Sequence, residues 1–464
     1  MSPLPAISSL SSSARTTTTP TRRRFLAGTP SAGLMLGTIM VAACGRSAAS
    51  MTQPATPSGA PRQVTFVKTS AGELDSHWRA QFALATKATN VTVNLEIDTA
   101  DGNFYAKRVA EFAAGSSNFD LMTQAANQVL PMGLKNMLAD LTPLWRRDKW
   151  DTSMYYKADL ETWTWKDKLW AMPFQFGGEI WMYNKQLFDQ KGLKHPHKDW
   201  TYDDLLLMCQ KLNDPASNVY AIQVGQNTIQ YMFGTFLRNF GGKVLSDARD
   251  KALYADDPNA LRGAEFNVDL HQKHKVAWTA ALLKTLPQGM TPMRSQQAAI
   301  EVNGLGSYVA IAKAIGMQNL DFVPPPKGPT GTQSVRVVGN SWSLLSPSKN
   351  VDAAWTVLKY LHSKEGMLGP QLNVISWPPL TWAGTAPQWA DRFKGTRIED
   401  VRASWQKNGQ NQVTGIPEGD PVLAEMNKPL TQALDGELAT RDALRLSADK
   451  ANQTFTERPA AWRL

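Results

Sequence analysis

Cysteine is nearly absent: the 464 residues hold two, Cys44 and Cys209. That number supports no disulfide framework, so the chain must be held together by burial of apolar surface. Cys209 sits in the helix-like run TYDDLLLMCQKL, where it is expected to serve as a small buried hydrophobe without a disulfide partner. Long apolar runs are also missing beyond the first 43 residues, which excludes an ordinary spanning helix from the body. Catalytic signatures are scarce too: H-E-x-x-H, G-x-S-x-G, C-x-x-C and a glycine-rich phosphate loop ahead of a helix do not occur. Histidine numbers only six, and the pairs His195 with His197 and His271 with His274 lie in lysine-rich stretches where metal binding is not expected. The net charge is +9, but Lys and Arg are interspersed with acids rather than gathered in one stripe, which argues against nucleic acid as a partner.

What the chain does have begins with TRRRFLAGTPSAGLMLGTIMVAAC, residues 21–44. A basic start, a weakly apolar middle broken by Gly28 and Pro30, and small residues before a cysteine form an export address rather than a membrane span. Arg22 and Arg23 ahead of Phe25 and Leu26 resemble the twin-arginine export consensus. Val41, Ala42, Ala43 and Cys44 resemble a lipobox, which implies lipidation of Cys44. Removing the four arginines ahead of Cys44, where no acid stands, leaves +5. Removing 43 of 464 residues leaves 421, enough for two or three domains with ample cores. Residues 44–61, rich in Ala, Ser, Thr, Pro and Gly, read as a flexible tether.

From residue 63 the pattern predicts strand (QVTFVK), helix (ELDSHWRAQFALATKAT), strand (VTVNLEID), helix (NFYAKRVAEFAAG) and strand (FDLMTQ). This alternation predicts an α/β fold with a parallel sheet covered by helices. Ligands of such sheets bind at the carboxyl ends of the strands, which points to the loops at 69–73 and 124–128. Farther on, Gly177 and Gly178 separate two apolar strands and mark a pivot or a close approach. Thr201 stands as an N-cap before an acidic first helical turn.

At KLWAMPFQFGGEIWMYNKQLFDQKGLKHPHKDWTYDDLLLMCQKL the chain resembles the extracellular solute-binding proteins of family 1, the maltose- and oligosaccharide-binding type that serves ABC importers. Gly241 with Gly242, Asn303 with Gly304, VPPPKGP and VVGNSWSLLSPSKNVDAAWTVLKYL follow in that family's order, so the resemblance covers about residues 64–440. Leu305 and Gly306 stand where sugar-binding members often carry an aromatic residue, which comes here only at Tyr308. The resemblance implies a type II periplasmic-binding-protein-like fold, in which two lobes, each a mixed sheet flanked by helices, are joined by a hinge. Crossings near 174–178, 337–341 and 372–377 assign 62–174 and 340–372 to lobe 1, and 175–339 and 373–464 to lobe 2.

The implied function is capture of a sugar or related polyhydroxylated solute in the cleft, without catalysis or cofactor. The ligand would then pass to ABC permease subunits, from a monomer held by its lipid outside the cytoplasmic membrane. A sugar needs flat apolar surfaces for its C–H faces and fixed polar groups for its hydroxyls. Expected stacking platforms are Trp342, Trp377 and Tyr231; expected polar contacts are Glu73, Gln124, Asn127, Gln175, Asn303 and Asn340, with Gly178 at the pivot. The alternatives are an exported enzyme acting on carbohydrate, or the same fold holding a polyamine, phosphodiester, peptide or iron. Tyr155 and Tyr156 resemble the tyrosine pair of ferric-ion receptors. Substituting Cys44→Ser is expected to release the protein from the membrane fraction into the soluble one; retention on membranes after that change would refute a lipid anchor at this residue.

Overall fold

The computed structural model describes residues 62–463 apart from 71, 100–103, 338, 374, 376 and 411–414, so the export segment, Cys44 and the tether lie outside the described residues. The alternation read from the sequence opens the fold: β1 (Gln63–Thr69), α1 (Asp75–Thr89), β2 (Thr92–Asp98), α2 (Phe104–Ala113) and β3 (Leu121–Ala125). β1 runs between β2 and β3 and parallel to both, so the carboxyl ends of all three lie along one edge.

The chain continues through α3 (Ala126–Leu134), β4 (Met172–Gln175), β5 (Glu179–Asn184), α4 (Tyr202–Leu212), β6 (Ile222–Val224), α5 (Met232–Asn239) and α6 (Pro258–Gln272). Next come β7 (Ile300–Gly304), β8 (Leu320–Val323), β9 (Val335–Arg336), β10 (Asn340–Leu344) and α7 (Val351–Leu361). It ends with α8 (Ile398–Asn408), β11 (Gly409–Gln410), α9 (Asp420–Leu434) and α10 (Thr440–Thr456).

Two mixed sheets organise two lobes. The first has the order β2-β1-β3-β10-β4, the second β8-β5-β7-β6. The first sheet is not wholly parallel as the alternation alone predicts, because β10 returns from the second lobe and pairs antiparallel with both β3 and β4.

The chain crosses between the sheets from β4 to β5 and again from β9 to β10. Glycine lets these crossings pass close together. A side chain at Gly339 would put its Cβ 1.6 Å from the Gln175 carbonyl oxygen, and one at Gly178 would lie 2.1 Å from Trp405 Nε1. Gly178 also bridges to Val337, while the Phe176 amide donates to the Trp377 carbonyl at 2.8 Å.

In the first lobe an aromatic nest fills the space between α1, α7 and the sheet. The Trp342 indole stacks on Phe174 with centroids 5.1 Å apart and meets Phe66 and Trp78 edge-on at 6.1 Å. Each such ring contributes about 1.5–3 kcal/mol by burial, with pair geometry adding about 1. In the second lobe Trp181 and Trp200 pack edge-on, and the Trp200 indole donates to the Pro324 carbonyl at 2.8 Å. Thr201 caps α4 as its sequence predicts: its hydroxyl accepts from the Asp204 amide, while the Asp204 carboxylate accepts from the Thr201 amide. Cys209 is fully buried on that helix, and burial pushes its thiol well above the usual range, as suits a core residue.

Because the Trp405 indole is fixed by its own bond to the Glu179 carbonyl at 3.0 Å, it cannot yield to a methyl group at position 178. Gly178→Ala is expected to destabilise the fold by about 1–3 kcal/mol in urea titration; an unchanged midpoint would show that the crossing tolerates the added bulk.

Candidate functional site

The carboxyl edge of the first sheet opens onto a cavity of about 390 Å³, within the roughly 300–1,000 Å³ of small-molecule sites. β1 supplies Lys68 and Thr69, β3 supplies Thr123 and Gln124, α1 supplies Trp78, α2 supplies Phe104 and Tyr105, and β4 supplies Phe174 and Gln175. A smaller chamber of about 150 Å³ adjoins it, lined by Asn127, Gln226, Tyr231 and Arg336. Ala125, Gln175 and Asn340 border both chambers. The site therefore takes residues from both sheets' connections, with the crossing strands as its floor.

Local structure fixes the polar groups. Gln175 and Asn340 face each other across the β4–β10 pairing, and Asn340 also pairs with Ala125 of β3. Gln124 is 2 % exposed; its amide nitrogen donates to Met132 Sδ at 2.8 Å, while its Oε1 is buried without a hydrogen-bond partner. A buried acceptor left unpaired costs about 1–3 kcal/mol, so a ligand hydroxyl that reached it would bind with that much to recover. Lys68 is buried but neutralised: it pairs with Asp75 at 2.8 Å and lies over the Trp78 ring at 5.9 Å.

On the far side the Arg336 guanidinium lies 3.7 Å from the centre of the Tyr231 ring. Burial lowers its pKa to about 10, so it stays protonated at neutral pH. Behind it Glu179 accepts from Trp181 Nε1 at 2.8 Å and Thr235 Oγ1 at 2.5 Å, and burial raises its carboxyl above the usual range.

Of the residues nominated from sequence, Gln124, Asn127, Gln175, Tyr231 and Asn340 meet at this site. Four do not. Trp342 is 0 % exposed and lies behind Phe174, which borders the cavity, so its indole backs the wall and offers no surface of its own. Trp377 is buried near the hinge, packed edge-on against Trp389 and Trp405 and donating to the Tyr156 hydroxyl at 3.0 Å. Asn303 turns to Glu301 and to the Gly304 amide, and Gly178 is sealed against Trp405.

Glu73 falls in the short 3-10 turn after β1, and its side chain lies outside the described residues. Sequence reasoning missed Trp78, Phe174 and Arg336. Trp78 could have been found from its place in the first turn of the helix that follows β1, and Phe174 from its place beside Gln175. Nothing in the local pattern marks Arg336.

His195 and the tyrosine pair are engaged within the fold, and His271 is enclosed by it. His195 bonds Asp189 at 2.9 Å, and His271 is buried, its pKa lowered by burial to about 4. Tyr155 and Tyr156 are both buried, Tyr156 stacked on Phe176. Among the described residues no group of three or more His, Cys, Asp and Glu is arranged to hold a metal ion.

The sequence pattern of the family described as bacterial extracellular solute-binding protein matches residues 70–368. The chain belongs to that family. As a solute-binding protein of this extracellular class, it works outside the cytoplasmic membrane. A similar curated protein is the erythritol/L-threitol-binding protein of Mycolicibacterium smegmatis, 24% identical over 306 residues; the match covers 61% of this chain and 63% of that one. The chain thus matches a little under two thirds of that relative's length.

Among solved structures, an ABC substrate-binding protein of Listeria monocytogenes in complex with cycloalternan superposes with a TM-score of 0.74 at 19% identity, covering 86% of this chain and all of that one. A solute-binding protein of Thermotoga lettingae bound to α-D-tagatose gives 0.72 at 19% identity, covering 85% and all. These solute-binding proteins share the type II two-lobed fold seen here.

A polar contact reaches across the cleft: Asn127 of α3 donates to the Asp420 carboxylate at the start of α9, a helix that packs on α6 and α10. Asp420→Ala removes this bridge. Because an exposed interaction of this kind is worth about 0–1 kcal/mol, stability should hold while the lobes spread. A larger radius of gyration in small-angle scattering is the expected result, and a profile identical to the parent's would show that the bridge does not hold the lobes.

Proposed function

We propose that this protein is the capture component of an ABC importer, holding a sugar or sugar-like polyol between its lobes and delivering it unchanged to a membrane permease. The observation that carries the reading is the make-up of the main cavity: aromatic rings of Trp78 and Phe174 beside the unpaired Gln124 acceptor and the amides of Gln175 and Asn340. Flat apolar surface next to fixed hydrogen-bonding groups matches the alternating faces and edges of a polyhydroxylated molecule. Trp342 and Trp377 stand behind these contacts as support.

Affinity follows from modest parts. Neutral hydrogen bonds contribute about 1 kcal/mol each and charge-assisted ones about 1.5–3. Four or five such bonds with one stacked ring reach roughly −8 kcal/mol, which is micromolar binding. The relative that binds erythritol and L-threitol and the neighbour that carries tagatose support a small ligand, as does a cavity of about 390 Å³.

The lobes we assign, 62–174 with 340–372 and 175–339 with 373–464, are supported by the strand membership of the two sheets. Residues after Trp377 also touch the first lobe, since Leu380 bridges to Tyr155 and the Thr381 amide donates to the Met154 carbonyl at 2.8 Å. The twin-arginine leader and lipidation at Cys44 complete the reading by keeping the receptor at the outer face of the membrane.

A thermal-shift screen of the full mature chain against monosaccharides and polyols tests the proposal, since a ligand at 100 times its Kd adds about 2.7 kcal/mol of folded stability. At least one such compound should raise Tm and be recovered unaltered. Gln124→Met, which keeps the volume and removes the acceptor, should then weaken that compound about tenfold in calorimetry. Turnover of the compound, or full affinity in the variant, would overturn the reading.

A further inference from the structure

The smaller chamber holds a charge that the neutral-sugar reading does not use. Arg336 is 8 % exposed and borders the cleft, and its Nε is buried without a hydrogen-bond partner. Among the described residues no carboxylate is within ion-pair distance of it; its close neighbour is the face of Tyr231. The surrounding charges do not cancel it. Arg238 is buried beside it, bonded to Ser334 and Thr235, and the carboxylate that serves both guanidiniums, Glu179, is occupied by Trp181 and Thr235. Two buried guanidiniums to one carboxylate leave one positive charge in excess. Asp420, reached by the chamber residue Asn127, is exposed and engaged by that amide.

We propose that the ligand carries one carboxylate, making it a sugar acid such as a uronate or aldonate, and that Arg336 anchors that group in the smaller chamber while the larger cavity holds the polyol body. The proposal rests on the polyol reading above and narrows it. A guanidinium presents parallel donors that match a carboxylate in two bonds, and charge-assisted bonds are roughly twice as strong as neutral ones. Taking an uncompensated charge out of water is unfavourable, so an anionic ligand that pairs with Arg336 is favoured over its neutral counterpart. The neutral amides of Gln175 and Asn340 around the same chamber can complete the bonding of both carboxylate oxygens without adding charge. A phosphate, with nearly two negative charges, calls for a second free cation. Lys68, the other cation bordering the site, is already paired with Asp75.

Calorimetry with matched pairs on the full mature chain tests this: D-glucose against D-glucuronate, D-galactose against D-galacturonate, mannitol against mannonate, and D-glucose 6-phosphate as the phosphate arm. The acid of at least one pair should bind ten or more times tighter than its neutral partner. Raised salt should erode that advantage, and Arg336→Gln should abolish it, bringing the acid and its neutral partner to within about twofold of each other in the same variant. Arg336→Lys, which keeps the charge and loses the fork, should retain part of it. Should Arg336→Gln fail to fold, the wild-type pairs and their salt dependence still decide. Neutral members binding as well as or better than every acid would overturn the carboxylate anchor and leave the polyol reading standing. Preference for the phosphate would overturn the carboxylate assignment. Silence from all compounds, neutral and acidic, would overturn the polyol reading itself.

Discussion

Two strands of the protein must pass each other where the lobes join, and they do so at a separation that only glycine permits. With Gly339 pressed on the Gln175 carbonyl, β10 enters the sheet with Asn340 opposite Gln175, and the register shifts before Ser341. That pairing sets Gln175 and Asn340 side by side at the mouth of both chambers. The same crowding at Gly178 presses the backbone onto Trp405, which in turn bonds the carbonyl of Glu179. A side chain at either place would push the crossings apart and lose the alignment of site residues drawn from distant parts of the chain.

Around this joint the polar groups are unequally satisfied. Trp200, Trp377 and Trp405 each have a partner for the indole N–H, whereas Trp342 and Trp389 have none. Toward the cleft, Gln124 and Arg336 each retain a buried atom with none. Buried polar atoms in folded proteins are overwhelmingly paired, so unpaired ones on side chains that line the two adjoining chambers mark where a guest has most to offer. The acceptor lies on the first lobe and the donor on a strand leading to the crossing. A guest that met both would draw the two halves together, which is the coupling a hinged receptor needs.

Much of the first lobe was legible because its order is local: period-two and period-3.6 patterns succeed each other, and the strand edges where ligands gather follow from that order alone. Gln124 and Asn127 were found in that way, and Gln175 from its place beside the Gly177 and Gly178 pivot. The aromatic nominations fared differently. Trp342 and Trp377 stand beside the crossings in sequence, but β10 is the fourth strand of a five-stranded sheet with neighbours on both sides, so Trp342 falls on a face already covered by α1. Which face of a strand points to water depends on what packs there from far along the chain, and a single strand's pattern does not record it. Arg336 was illegible for the same reason, since its isolation from carboxylates is a property of the assembled cleft.

The thiol of Cys209 is sealed beneath a capped helix. In the oxidising surroundings beyond the cytoplasmic membrane, an accessible thiol would invite cross-linking. Enclosure by α4 and its sheet withholds the thiol from that chemistry without the expense of a second cysteine to tie it off.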